Sequence, residues 1–497
     1  MSVDEAAPPP PAKPRGVREF VADNAIVALA LLLNKLRGIL TLPLIIATLG
    51  TVGYGVWSQI LAFVTLLAFM VSFNLHLPMV RFIAGDRPAA PRIYSTVMLL
   101  EMGLAAAAAV LLLPFSGLAS GALLGDASLG KHLAVGLALV FFNNVRLLNL
   151  NVYRAYDRFV LRTFIDLAAS GVELAAIIVV LSWTHDLLLA LVAMTIWSAL
   201  VAAFSTWHAS RLTGLGRPSM AVARRALAYA VPLLPAALSL WILDRADRFF
   251  IGRYLGPREV GIYSASYALG SLVLQAQAPF QLTLFPKVAQ LWDTDRNSAR
   301  KYIELSNKAF LTLAIPFITA SFVIAPQVLT RLGNAEIAAD SALLTVLVAT
   351  GVTLYGVTVM QSQVLHGARR TGVQGLTSAF AAVLNVALNL LLLPRIGTLG
   401  AAIATAASYG LTCVAFGLAA RQFLAISYFP AYLAKCFLAA LVMLAPMTAL
   451  AGRGTWGLFA ALLAGAVTYF TALVLVRAFN AEEIGLARRV WRKVRRT

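Results

Sequence analysis

Apolar runs long enough to cross a bilayer recur from one end of this chain to the other, and nothing constrains its fold more. They fall near residues 22–48, 54–76, 93–115, 133–153, 160–182, 187–209, 226–248, 260–285, 306–329, 341–365, 372–393, 398–420, 430–450 and 455–478. A helix of about 20 residues rises roughly 30 Å, the thickness of the hydrocarbon core. Backbone polar groups in hydrocarbon must be paired within their own segment, so each run reads as a helix. The expected fold is all-α: a polytopic membrane protein of about 14 transmembrane helices. Composition agrees, since only 12% of the 497 residues are charged, about half the share in a soluble domain.

The basic residues set the orientation. The net charge is +19, an excess that in a soluble chain would point to nucleic acid. Here the cations alternate between loops, and no nucleic-acid partner is expected. Lys13, Arg15 and Arg18 precede the first span. Arg81, Arg87 and Arg92 follow the second, Arg154 and Arg158 the fourth, and Arg211, Arg217, Arg224 and Arg225 the sixth. Lys287, Arg296, Arg300 and Lys301 follow the eighth, Arg369 and Arg370 the tenth, and Arg421 the twelfth. The loops between are nearly bare. The positive-inside rule then places both termini in the cytoplasm. One outer stretch breaks the pattern: Arg245, Arg248, Arg253 and Arg258, softened by Asp244, Asp247 and Glu259.

These signals divide the chain. Residues 1–21 read as a disordered cytoplasmic tail without signal-peptide features. Residues 22–210 form an N-lobe of helices 1–6, 211–225 a cytoplasmic linker, and 226–420 a C-lobe of helices 7–12. Residues 421–480 add helices 13 and 14, and 481–497 are a basic cytoplasmic tail. Its spacing of Ile484, Ala487, Trp491 and Val494 suits an in-plane helix on anionic membrane lipids, or a plain topology anchor. An offset of 206 residues relates the lobes: Leu49-Gly50 repeats as Leu255-Gly256, and Gly55-Val56-Trp57-Ser58 as Gly261-Ile262-Tyr263-Ser264. Two pseudo-symmetric six-helix lobes around a central cavity are expected, related by an axis along the membrane normal.

Charges inside spans carry the functional reading. Lys35 and Arg37 lie near the middle of the first span, too deep for a lysine stem to snorkel. Two residues apart, they point to different sides; Arg37 shares a face with Asn34 and Thr41. One reading is an anion site, with Arg37 as a fork for phosphate and Lys35 as a point charge. The other is an internal salt bridge that orders the bundle. On the fourth span Asn143, Arg146, Asn149 and Tyr153 make a polar face, and Arg146 adds a third cation. The fifth carries Arg162, Asp166, Ser170 and Glu173 on one stripe. Asp166 and Glu173 are candidates for proton coupling, or else partners of Lys35, Arg37 or Arg146. The amide pairs Gln277/Gln281 and Asn385/Asn389 suit a sugar path or plain interhelical bonding.

Several functions lack their residues. The five histidines show no metal-ligand spacing, no nucleophile–base motif stands out, and no cofactor or metal is expected. Cys413 and Cys436 fall in apolar runs and read as reduced side chains. Gly125 to His132 imitates a phosphate loop but ends in His, not Ser or Thr, and comes after no strand.

The order of these motifs resembles the polysaccharide and O-antigen translocases of the multidrug/oligosaccharidyl-lipid/polysaccharide exporter superfamily. The matching pieces are Arg37 with its apolar run, Leu49-Gly50, Gly55-Val56-Trp57-Ser58, Asp247-Arg248-Phe249-Phe250-Ile251-Gly252, Leu255-Gly256 and Glu259-Val260-Gly261-Ile262-Tyr263-Ser264. Leu365 to Arg370 and Pro394 to Thr405 continue them, so the likeness spans about residues 20–425. It implies a non-enzymatic flippase of the bacterial inner membrane that carries an undecaprenyl-diphosphate-linked oligosaccharide outward by alternating access, for O-antigen, capsule or exopolysaccharide. Asn34, Lys35, Arg37, Asn143 and Arg146 would hold the diphosphate and sugars, and Asp247 with Arg248 would form an exit-side charge cluster. A polysaccharide polymerase and a chain-length regulator are conceivable partners. The competitors are a peptidoglycan lipid-precursor flippase, a multidrug antiporter, which would want an acidic cavity, a passive scramblase, and a membrane polymerase or ligase, for which no outer loop is long enough.

Overall fold

The computed structural model describes residues 17–479, with side chains described from residue 41 onward apart from 278, 279, 281–283 and 371. The two expected tails, before residue 17 and after 479, lie outside the described residues. The described chain is helical throughout. The helices are α1 (Val17–Ser72), α2 (His76–Gly85), α3 (Ala90–Leu112), α4 (Ser116–Leu124), α5 (Gly130–Ala155), α6 (Phe159–Thr184), α7 (Leu187–Thr213), α8 (Met220–Ala230), α9 (Leu234–Trp241) and α10 (Asp247–Leu255). They continue as α11 (Pro257–Gly270), α12 (Ala278–Leu291), α13 (Arg296–Leu332), α14 (Ala335–Ala339), α15 (Ser341–Gly367), α16 (Thr371–Ile396), α17 (Thr398–Arg421), α18 (Pro430–Ala451) and α19 (Gly454–Leu475).

The expected first and second spans form one element, α1, which reverses at a single residue, Gly50 (φ 71°, ψ −176°). The expected seventh and eighth reverse the same way at Gly256 (φ 90°, ψ 172°), between α10 and α11. A positive φ of this kind is cheap only for glycine. The glycines repeated at an offset of 206 therefore make two hairpins of matching backbone geometry. We call the side of these turns the hairpin face and the opposite side, which carries the arginine-rich loops, the basic face.

Among the described residues twelve helical segments are long and apolar enough to span a membrane. The difference from fourteen has local causes. Most of the first expected span, residues 22–40, lies ahead of Thr41, where side chains are not described. The eighth is not one helix: α11 stops at Gly270, a 3₁₀ stretch runs Ser271–Ala276, and α12 carries Pro286 inside it. Proline there removes a backbone hydrogen bond and interrupts regular helix.

Three apolar clusters hold the bundle. The largest joins α1, α5, α6 and α7 to α10, α11, α13, α15 and α17, so it crosses from one lobe to the other. A second binds α2, α3, α5, α7 and α8 within the first lobe. The third seats α18 and α19 on α13. There the Tyr469 hydroxyl donates to the Thr312 carbonyl at 2.9 Å, and the Lys308 ammonium lies 4.1 Å from the Tyr432 ring centroid. Polar side chains tie the first lobe: Tyr94 donates to Asn149 Oδ1 at 2.9 Å, and Asn149 Nδ2 donates to Ser205 and Thr206 at 3.1 and 2.8 Å. Each such bond contributes about 1 kcal/mol net. The polar face expected on the fourth span is thus in part a three-helix clasp.

Candidate functional site

The lobes meet along α1 and α11, and sequence symmetry becomes contact symmetry there. A Cβ built on Gly55 would overlap the Pro257 carbonyl, and one built on Gly261 would overlap the Thr51 carbonyl. The 206-residue offset carries Gly55 onto Gly261 and Thr51 onto Pro257, so the two contacts are copies of each other. This is the self-complementary contact of a two-fold axis, here within one chain. Glycine is needed at both positions because backbone meets backbone.

At the hairpin face this crossing is locked by polar groups from three turns. The Thr51 hydroxyl and the Arg258 guanidinium both donate to Glu336, which lies on the short helix α14. Asn334 Nδ2 donates to Thr51 Oγ1 at 3.0 Å, and Arg258 also pairs with Glu259 at 3.0 Å. Arg258 is 53% exposed and Glu336 35%. Exposed pairs contribute little, about 0–1 kcal/mol each. The hydrogen bond from Thr51, then that from Arg258, hold the Glu336 carboxyl below its ordinary range. Its contribution is therefore complete above the usual glutamate value and fades only as pH falls through the lowered one. Closure, read as thiol-reagent access to Val260→Cys, a buried position beside the lock, should stay flat from neutral pH down to about pH 5 and loosen below the glutamate range. Glu336→Gln should be loosened across the whole interval; a variant as tightly closed as wild type at neutral pH would remove Glu336 from the lock.

Deeper in the seam, Gln59 of α1 is fully buried and its Nε2 reaches the carbonyls of Leu123 and Arg248, each at 3.4 Å. Trp241 Nε1 donates to Thr65 Oγ1 at 3.3 Å. Asn144 Nδ2 donates to the Ala68 carbonyl at 3.1 Å, fastening α5 to α1.

The side chains of Asn34, Lys35 and Arg37 lie outside the described residues, so the expected first-span anion site has no geometry here. Arg146 meets Asp166 at 3.6 Å, and its Nε is buried without a hydrogen-bond partner. Arg146 is thus one ion-pair partner of Asp166. Asn143 Oδ1 accepts from Ser198 Oγ at 3.4 Å. Glu173 is buried on α6. Asn389 Nδ2 bonds back to the Asn385 carbonyl at 2.9 Å, so that pair is bonded along its own helix.

Asp247 and Arg248, expected as exit-side charges, lie among close polar and aromatic neighbours. Asp247 and Arg248 are 1% and 7% exposed and form an ion pair at 3.1 Å inside the second lobe. Tyr263 donates to Asp247, Arg248 Nη1 donates to the Asp244 carbonyl at 2.9 Å, and the guanidinium lies 4.7 Å from the Tyr267 ring centroid. Arg248 sits eight residues before Gly256, about 12 Å along the helix from the hairpin. The arginines that break the loop alternation are mostly neutralised by neighbours: Arg245 by Asp244, Arg248 by Asp247, Arg258 by Glu259 and Glu336.

The residues that sequence reasoning missed are Thr51, Gln59, Asn334 and Glu336. Glu336 carried one signal, an acid in an otherwise nearly bare outer loop. Gln59 carried another, an amide deep within a span. Among the described residues no group of three or more histidine, cysteine or carboxylate side chains could hold a metal ion.

Two helical lobes, related by a pseudo-twofold axis and meeting at a polar-locked seam, define the fold of a multi-pass membrane protein. The computed structure aligns with a solved Lipid II flippase MurJ in its inward closed conformation with a TM-score of 0.71, 15% identity, and coverage of 91% of this chain and 99% of that one. It aligns with an inward-facing multidrug resistance MATE family transporter of the MOP superfamily at 0.61, with 17% identity and coverage of 80% and 97%. A family model described as "Polysaccharide biosynthesis protein" matches residues 47–335, more than half of the sequence, and the chain belongs to that family. Its curated relatives in Haloferax volcanii include a "Probable low-salt glycan biosynthesis flippase Agl15", 24% identical over 48% of this chain and 50% of the relative. A "Probable flippase AglR" is 28% identical over 32% and 34%. The chain thus spans half or less of the length of these relatives.

Proposed function

We propose that this protein is a flippase for a lipid-linked oligosaccharide, carrying a polyprenyl-diphosphate-linked glycan from the cytoplasmic to the outer leaflet by alternating access. The undecaprenyl carrier and a role in O-antigen, capsule or exopolysaccharide assembly are the specific form expected from the sequence. The observation that carries the reading is the seam: two lobes pressed backbone to backbone at Gly55 and Gly261, closed at one face by a weak, exposed lock. A joint locked this weakly can open at little cost, which alternating access requires. The polysaccharide-biosynthesis family and the glycan flippases among the relatives supply the substrate class.

In this reading the basic face is cytoplasmic, and Lys35, Arg37 and Arg146 replace the hydration that a diphosphate loses. The prenyl chain stays in lipid while the head crosses. Asp166 and Glu173 are the proposed coupling acids. The test is reconstitution of the full chain in liposomes with a fluorescent undecaprenyl-diphosphate-linked sugar, combined with quenching from outside. Wild type should make the buried pool accessible, and Arg37→Ala should slow that at least tenfold at unchanged protein yield. Normal rates in Arg37→Ala would sink the anion role. Equal movement of the peptidoglycan lipid precursor would favour the competing flippase reading.

A further inference from the structure

At the basic face of the second lobe, away from the seam, the start of α13 meets the end of α17 and the short connection into α18. Together they line a cavity of about 520 Å³, within the range of about 300–1,000 Å³ that small-molecule sites occupy. Both helices are long and apolar enough to span a membrane, so the cavity lies at the ends of two spans. The amino end of one helix and the carboxyl end of the other meet here. Their dipoles offset each other, and the side chains set the sign of the local charge.

Those side chains hold several uncommitted donors. Arg421 is exposed, and its guanidinium makes no ion pair or hydrogen bond among the described residues. Arg300 Nε stands 3.9 Å from Glu304, too far for a hydrogen bond, and is buried without a partner. Glu304 is only 15% exposed, and its Oε1 accepts the Ser427 backbone N–H at 2.8 Å, which ties the connection to α13. The Tyr428 hydroxyl accepts from Gln361 Nε2 at 2.8 Å, so its own proton is left for another acceptor. The Ser427 hydroxyl likewise accepts, from the Phe429 N–H at 3.4 Å.

Charge decides what such a cavity can hold. Arg300 and Arg421 against Glu304 give the lining a net charge of +1. A metal cation would meet two guanidiniums and a single carboxylate that is already engaged. A neutral sugar would leave the Arg421 charge without a counter-charge. A phosphate group supplies that charge: its oxygens match the forked donors of arginine, and hydroxyl protons serve the remaining lone pairs. Leu424 and Ile426 add apolar surface beside these donors. Basic pockets at the ends of spans suit the phosphate of a lipid headgroup for the same reason.

We infer that Arg300 and Arg421, with the hydroxyls of Ser427 and Tyr428, form a phosphate-binding subsite at the basic face. A lipid headgroup and a soluble phosphate ester share this chemistry. The subsite is separate from the seam and does not depend on the flippase reading.

The test measures Kd on the purified full chain in neutral detergent. The probes are dioctanoylphosphatidylglycerol, dioctanoylglycerol, which has the same chains without phosphate, and glycerol 3-phosphate. At least one phosphate probe should bind tenfold or more tightly than dioctanoylglycerol. Arg421→Gln, and independently Arg300→Gln, should weaken that binding at least fivefold at a melting temperature near wild type. Arg370→Gln, an equal charge change at an exposed position outside the cavity lining, should alter it less than twofold. If glycerol 3-phosphate binds as tightly as the lipid, the occupant is a free phosphate ester; if it binds more weakly, the occupant is a headgroup. Either result supports the subsite. A wild type with no preference for phosphate overturns it. So does binding that survives both cavity variants, or equal weakening by Arg370→Gln, which would make the attraction a property of the whole face.

Discussion

Arg248→Ala should leave little folded protein. Its guanidinium is buried beside Asp247, which is 1% exposed and also takes the Tyr263 hydroxyl. Removing the arginine strands a carboxylate in the lobe interior. Breaking a buried pair costs about 3–5 kcal/mol, against a total stability of about 5–15 kcal/mol for a folded domain. The cation–π contact with Tyr267 at 4.7 Å is lost as well. The expected result is a steep fall in monodisperse yield and melting temperature in detergent. The double variant Asp247→Leu with Arg248→Met should recover most of both, because an apolar pair of similar volume needs no compensation. If single and double variants melt alike, the pair is not the frame of this lobe.

Gly55→Val should fold but transport poorly. The added Cβ overlaps the Pro257 carbonyl, and no rotamer change relieves a clash with backbone. Overpacking of this kind costs about 1–3 kcal/mol, or roughly 5- to 150-fold in an equilibrium at tenfold per 1.4 kcal/mol. The cost falls on the arrangement closed at the hairpin face, because the contact exists only where α1 and α11 are pressed together. Transport should slow at least tenfold at near-normal yield. In a background without Cys413 and Cys436, the buried reporter Val260→Cys should react faster. Gly261→Val should do the same, since the axis makes the positions equivalent. Unchanged reactivity in both would mean that the seam is not the joint that moves.

These two variants mark different depths of legibility. The Gly55/Gly261 repeat is readable from spacing, because a two-fold contact requires the same residue twice. Its purpose is not, because close backbone approach exists only once the lobes are docked. Asp247 and Arg248 are readable as charges within an ordered set of motifs, yet their burial against each other is not. A charge on a helix reports its position along the axis, while its direction depends on local winding. The π-helical turn at Ile242–Ala246 changes that direction, and no periodicity count for a regular helix anticipates it. Glu336 escapes a reading of the sequence because its partners, Thr51 and Arg258, are 285 and 78 residues away.

The sequence alone determined the all-helical, membrane-spanning character and the 206-residue repeat of Leu-Gly and its following Gly. Each arises from hydrophobicity or backbone sterics over a short window, and such forces act before the chain has a shape. Only the tertiary structure decided which charges are sealed and which are exposed. Asp244 and Asp247 are three residues apart and identical in chemistry, but one is half exposed and the other buried. Burial belongs to the packing of several helices, and that packing turns one acid into a strut of the lobe and leaves the other accessible.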